Sequence, residues 1–343
     1  MLFTCAFGIL TPQKSGTKSY PLGLTKAIDG YYYADFKIGG QPLKALFDTG
    51  SSGIEVVGVG CNGTCSGQIG YDGSKSDKFV KGDSYFNGPF DGDGINPNIS
   101  GFHGTDDMEI AGLSLKNETF GIWEQASGIP NTVTGILGWD QIISSFKQQW
   151  NIPNIFGVYL GPEKGQVIFG GLDNAHYQGN LEYHDMQPIQ YKNTTMHVFN
   201  LKTEISINGA KVFRDSYGVI DTGTVHIEIP IKDAADLNAK IGPGTLNKDT
   251  GFYMVNCNII SSAPDVILTL GGKPYPLSAS DYIIKNTNNG QESCNSAFRG
   301  NHNVGTTIGD QTYPALIGNI FIRKYYTVYD NEAFKIGFAQ IKH

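Results

Sequence analysis

An all-β protein made of two related halves is the fold class this sequence predicts, and three observations predict it. Glycine is abundant, at 45 of 343 residues; aromatic residues make up 12% and charged residues only 17%. That composition suits many short strands joined by turns. Apolar and polar residues alternate over short runs, and helical spacing is confined to brief stretches. Finally, one pattern occurs twice: Leu46-Phe47-Asp48-Thr49-Gly50-Ser51 and Val219-Ile220-Asp221-Thr222-Gly223-Thr224. An apolar-apolar-Gly triplet follows each copy at similar distance, Ile136-Leu137-Gly138 and then Leu316-Ile317-Gly318.

In chain order, 31–38 alternates as a strand, Gly39-Gly40-Gln41-Pro42 marks a turn, and 43–47 is a second strand running into Asp48. From 57 to 83 the chain is rich in Gly, Ser and Asp, which predicts loops and short edge strands. Residues 108–113 and 119–123 read as paired strands. Apolar positions 142, 143, 146 and 150 predict a helix over 140–149. Segments 156–160 and 166–171 read as strands separated by a Gly-Pro turn. The second half repeats the scheme, with a short helix at 233–240 and a strand carrying His226 and Glu228. The division between halves is placed at 1–175 and 176–343.

Each half offers one carboxylate at the end of an apolar strand. Asp-Thr-Gly suits a tight turn on conformational grounds alone, but duplication together with matched glycines goes beyond turn formation. A pseudo-twofold axis would bring Asp48 and Asp221 together, and two adjacent carboxylates share one proton over a range of pH. One acts as base on a water while the other acts as acid.

The two acid turns, 261–266 and the run Ile317-Gly318-Asn319-Ile320-Phe321-Ile322-Arg323-Lys324-Tyr325-Tyr326-Thr327-Val328-Tyr329-Asp330 resemble the pepsin-like aspartic proteases over nearly the whole chain. The resemblance implies a bilobal double β-barrel with a central cleft and an extended peptide or protein substrate. It implies hydrolysis by a water held between Asp48 and Asp221. Thr49 and Thr222 would tie the two loops together, and Gly50 and Gly223 would admit backbone N–H groups to the carboxylates. Ser51 and Thr224 would hydrogen-bond the outer carboxylate oxygens. It also implies disulfides Cys61–Cys65 and Cys257–Cys294, leaving Cys5 over.

Four positions depart from the family pattern. A Trp shortly after the first acid, partner of a Tyr on the flap hairpin, is replaced by Glu55, and the flap candidate Phe90-Asp91-Gly92 has no Tyr. Either Glu55 and Asp91 face solvent, with Phe90 or Phe102 filling the gap, or the pocket is altered. Val225 stands where a small hydroxyl residue is common, and Asn319 where an acid is common. These departures motivate two alternatives to proteolysis: a non-peptide substrate, or a binding protein with a vestigial site.

Charge and motif content exclude other classes. The formal net charge of −7 without Lys/Arg clusters argues against nucleic acid, and no apolar run reaches membrane-spanning length. No metal or cofactor is expected: Cys61 and Cys65 lack two further zinc ligands, and there is no Gly-x-Gly-x-x-Gly before a helix. Glycosylation triplets begin at Asn62, Asn98, Asn117 and Asn193; with the cysteines they favour a secreted protein, expected to be a monomer. The amino terminus has neither a basic leader nor a recognisable pro-segment, so either a mature form or a protein without a zymogen stage is expected.

Overall fold

The computed structural model describes residues 18–342 apart from 90–97, 192, 193, 197, 249, 289, 306, 309, 310 and 313. The flap-tip candidates Phe90, Asp91 and Gly92, and Cys5, therefore lie outside the described residues. The described chain is mainly β, arranged around two large sheets of thirteen and seven strands. The first sheet contains the strand Gln41–Asp48, the second the strand Ala210–Ile220, and each of these delivers one acid turn.

The opening hairpin pairs Tyr32–Ile38 with Gln41–Asp48, turning at Gly39 and Gly40, both with positive φ. Over 42–45 burial alternates, with Leu43 and Ala45 in the core and Pro42 and Lys44 exposed, and from Ala45 to Asp48 every residue is buried, so the strand is covered on both faces as it reaches the acid. The helix Trp139–Trp150 buries Ile142, Ile143 and Phe146, three of the four positions on which the sequence expectation rested. The second helix, Ile231–Ile241, extends beyond the expected 233–240 and buries Ala234, Leu237 and Ile241.

Two local expectations are corrected. Where the sequence predicts loops and short edge strands over 57–83, Ile54–Gly63 is one ten-residue strand inside the sheet, between Gly135–Gly138 and Leu113–Ser127. Its glycines serve packing as well as turning, since a Cβ on Gly58 would meet Ile122 at 2.7 Å and the Trp123 carbonyl at 2.8 Å. Nor is 108–113 one strand. Asn98–Ile110 and Leu113–Ser127 form a long hairpin whose turn is Ala111-Gly112, at φ 52° and 74°, the left-handed backbone of a two-residue hairpin loop.

Of the chain's last two strands, Tyr325–Asp330 joins the first-half sheet by pairing with Ile155–Leu160, and Lys335–Ile341 pairs with Tyr325–Asp330 on its other side. An aromatic cluster fills the space beneath the acid loops. Phe156 stacks on Tyr329 at 4.7 Å, Trp139 lies 4.1 Å from Phe199, and Phe47 meets Phe156 edge-on at 6.1 Å. Burial of this much aromatic surface, with edge and stacked contacts, makes a stiff floor. Disulfides join Cys61 to Cys65 and Cys257 to Cys294.

Candidate active site

Each acid turn leaves its strand beside the matched triplet. Asp48 pairs in parallel register with Gly138, and Ile220 with Ile317. The two glycines are the reason the loops can cross here. Gly138 N–H donates to the Gly53 carbonyl at 2.9 Å and Gly318 N–H to that of His226 at 3.0 Å. A Cβ on Gly138 would overlap the Gly53 carbonyl, and one on Gly318 would overlap those of Thr224 and His226. The triplets thus hold the turns by backbone approach that a side chain would block.

The loops then grip one another. Thr49 N–H donates to Thr222 Oγ1 at 3.0 Å, and Thr222 N–H donates to Thr49 Oγ1 at 2.9 Å. Each hydroxyl donates onward, Thr49 to the Ile220 carbonyl at 2.9 Å and Thr222 to that of Phe47 at 2.7 Å. All four groups are buried, so each bond also satisfies a polar atom that would otherwise be stranded.

Asp48 and Asp221 are only 5% and 6% exposed. Gly50 N–H donates to Asp48 Oδ1 at 2.7 Å and Gly223 N–H to Asp221 Oδ1 at 2.7 Å. Ser51 donates to Asp48 Oδ2 and Thr224 to Asp221 Oδ2, at 2.5 and 2.6 Å. The loops are also close across the axis: a Cβ on Gly50 would lie 2.8 Å from Asp221 Oδ1, and one on Gly223 would overlap the Asp48 carboxylate. Burial, then the charge of Asp48, push the Asp221 carboxyl well above the usual carboxylate range; the Thr224 bond opposes them, and a hydrogen bond with Asp48 adds to the rise. Two carboxylates held this close and this deeply buried favour sharing a proton over carrying two charges.

The remaining sequence candidates are placed as follows. Val225 is buried against Tyr31, Tyr33 and Leu46. Glu55 does not point to solvent: its carboxylate accepts a 2.6 Å hydrogen bond from Trp123 Nε1. Burial raises its pKa, with the Trp123 bond and the charge of His103 opposing. A ring beside it is Phe86: a Cβ on Gly121 would sit 3.1 Å from Glu55 Cγ and 3.2 Å from Phe86, while the candidate Phe90 lies outside the described residues. Phe86 belongs to Val80–Pro89, which pairs with Asn98–Ile110 so that Pro89 meets Asn98. This is a hairpin at the flap position, with its tip outside the described residues.

Two residues at the site were not singled out from the sequence. Trp123 takes up the partnership with Glu55 from a neighbouring strand, which no linear spacing announces. Tyr329 lies fully buried beneath the loops, its hydroxyl 3.4 Å from the Ile220 carbonyl. Burial raises its pKa, the Thr49 hydrogen bond opposes, and the two nearby acids add to the rise.

Comparison with known proteins decides the family. Residues 31–341 match the eukaryotic aspartyl protease family. The chain belongs to that family. Among its relatives are chicken (Gallus gallus) cathepsin D, 31% identical over 92% of this chain and 82% of the relative, and pepsin A of Suncus murinus, 30% identical over 96% and 86%. Rat (Rattus norvegicus) renin is 30% identical over 93% of this chain and 81% of its own length. As a eukaryotic aspartyl protease with the bilobal pepsin-like fold, the protein is an aspartic endopeptidase.

Proposed function

We propose that Asp48 and Asp221 are its catalytic pair, working on a peptide held in the cleft between the lobes, with the lobes divided near residue 175. The observation that carries this is the reciprocal Thr49–Thr222 grip, which brings two carboxylates from positions 173 apart into mutual electrostatic reach. A pair sharing one proton is the established chemistry of this family rather than a discovery made in this chain. The pair titrates as a unit, and the upward shift of the Asp221 carboxyl favours Asp221 for the acid's role, which leaves Asp48 that of the base. As the water oxygen bonds to the carbonyl carbon, its proton passes to Asp48 and the Asp221 hydroxyl hydrogen-bonds the developing oxyanion. The C–N bond then breaks, a proton from the pair goes to the leaving nitrogen, and the one-proton state returns.

Gly50, Ser51, Gly223 and Thr224 hold the carboxylates by donating to them. The names of the relatives favour peptide hydrolysis over a small non-peptide substrate or a vestigial site. We read the protein as secreted and acting as a monomer. Two disulfides support the first point, and Asn62 and Asn117 are exposed where a glycan could be carried. Among the described residues no helix is long and apolar enough to cross a membrane.

The test is hydrolysis of an unfolded protein between about pH 2 and 7, with and without a statyl transition-state mimic. Activity in acid, blocked by the mimic and reduced by roughly 10²–10⁴-fold in Asp221→Asn, is expected. Inactivity across the range, or an undiminished Asp221→Asn variant, overturns the assignment.

A further inference from the structure

Away from the acid loops, a cavity of about 490 Å³ opens between the turn that follows Ile155–Leu160 and the helices Ala279–Tyr282 and Asn319–Ile322. No residue of either acid turn lines it. Its walls are apolar, with Leu160, Pro162, Ile284 and Ile320, but its rim carries four cations, Lys26, Lys285, Arg323 and Lys324, and one acid, Asp281. In a chain of net charge −7 this is a local reversal of sign.

The acids at hand are already engaged. Asp281 accepts Lys324 Nζ at 2.5 Å and caps its own helix through the Ser278 N–H and hydroxyl at 2.7 and 2.6 Å. Lys285 is paired with Glu292 at 2.6 Å. Glu163, whose carbonyl takes the Lys26 N–H, has its side chain exposed and is not part of the lining. Among the described residues, neither the Lys26 ammonium nor the Arg323 guanidinium has a carboxylate within ion-pair distance. Both are half-buried. Burial lowers the Lys26 pKa and the charge of Arg323 lowers it further, so the two cations oppose each other's charge. Two desolvated like charges at the mouth of an apolar hollow are unfavourable alone and become favourable around an anion.

We propose that this cavity binds a carboxylate carried on a hydrocarbon body, with its head between Lys26 and Arg323 and its body against Leu160, Ile284 and Ile320. A guanidinium beside an ammonium suits a planar carboxylate better than either does singly. The volume takes a body of several carbons. Two sources share this chemistry: a free aliphatic acid, and the C-terminal carboxylate of a peptide ending in an apolar residue.

The experiment is calorimetric titration of the intact protein with octanoate, acetyl-Leu-Leu acid, acetyl-Leu-Leu amide and inorganic phosphate, with and without the statyl mimic filling the cleft. Binding of octanoate or of the peptide acid, undiminished by the mimic, is expected; which of the two binds more tightly identifies the source. Arg323→Gln and Lys26→Gln should each weaken it by about tenfold or more. Arg323→Lys, which keeps the charge but not the planar fork, should recover part of that loss, and Lys232→Gln, on a surface pair with Asp236, should change nothing. Matching thermal melts separate a lost site from a lost fold, and Arg323→Lys serves where Arg323→Gln does not fold. No binding of either acid up to about 10 mM, a few kcal/mol at most, overturns the proposal. So does binding unaffected by the Lys26 and Arg323 variants, equal binding of amide and acid, or phosphate binding as tightly as octanoate. Because the readout is binding away from the cleft, its failure leaves the catalytic assignment standing, and the reverse holds too.

Discussion

A glutamate stands at the same offset after each acid: Glu55 follows Asp48 and Glu228 follows Asp221, seven positions on in both (48 to 55, 221 to 228). The strands that carry them are placed alike. Each runs antiparallel to its apolar-Gly triplet, Glu55 opposite Ile136 and Glu228 opposite Leu316, and parallel to a further strand. On that further strand the halves part company. Glu55 faces Gly121, which leaves room for Trp123 to turn its N–H onto the carboxylate. Glu228 faces Arg299 and accepts from its guanidinium at 3.5 Å and from Asn301 Nδ2 at 2.5 Å. One topology therefore supplies a neutral donor in the first half and a cation in the second. The acid loops need strict twofold agreement because they grip each other; the strands behind them do not, and they have diverged.

That comparison can be broken at several scales. The largest difference is expected at the disulfides. Cys257–Cys294 spans 37 positions and Cys61–Cys65 only 4. Chain entropy then gives about 4 kcal/mol for the former and about 2 for the latter. Serine replacement of each pair, followed by chemical denaturation, measures both, and the reverse order would show that strain or residual structure outweighs loop length. Next comes Glu228→Ala, which removes the carboxylate that Arg299 and Asn301 share. Hydrogen bonds to a charged group contribute about 1.5–3 kcal/mol, and Arg299 keeps its place over the Phe252 ring, so about 2–3 kcal/mol is expected. Thr49→Ala and Thr222→Ala each delete two buried hydrogen bonds in mirrored positions, so each should cost about 2 kcal/mol, with Thr49→Ala slightly the costlier because it also loses the Tyr329 hydroxyl. A large inequality between them would mean the grip is not symmetric in energy.

The sequence already carried the symmetric part of the molecule. Asp48, Asp221 and their partner glycines were legible because backbone approach at the crossing admits only glycine, and the requirement occurs twice. The helix Trp139–Trp150 was legible because its buried face repeats at helical spacing. What was not legible depends on pairing across strands. Glu55 and Trp123 are 68 positions apart and meet only once Ile54–Gly63 lies parallel to Leu113–Ser127. That strand was itself hidden, because Gly58 and Gly60 read as turn residues while Gly58 permits a close strand approach. The turn at Ala111-Gly112 was missed for the opposite reason, an alanine in left-handed backbone where asparagine or glycine would have signalled it.

The smallest effect is the most specific to the first half. Burial raises the Glu55 pKa, and the Trp123 bond and His103 only oppose it; for a carboxyl raised in the folded state, the native protein binds the extra proton. Its contribution to stability is then fully present below the unfolded carboxyl value and is lost as pH rises through the folded one. Glu55→Gln keeps an acceptor for Trp123 and has no such proton to lose. The stability of Glu55→Gln relative to the parent should therefore climb from about pH 4 toward neutrality. Asp221 is raised too and adds the same slope to both proteins, so it cancels in the difference. Denaturation at a series of pH values gives the curve, and Trp123 emission gives a local record of the same titration that Glu55→Gln should abolish. A flat difference would mean that the Trp123 bond and the charge of His103 offset the burial completely.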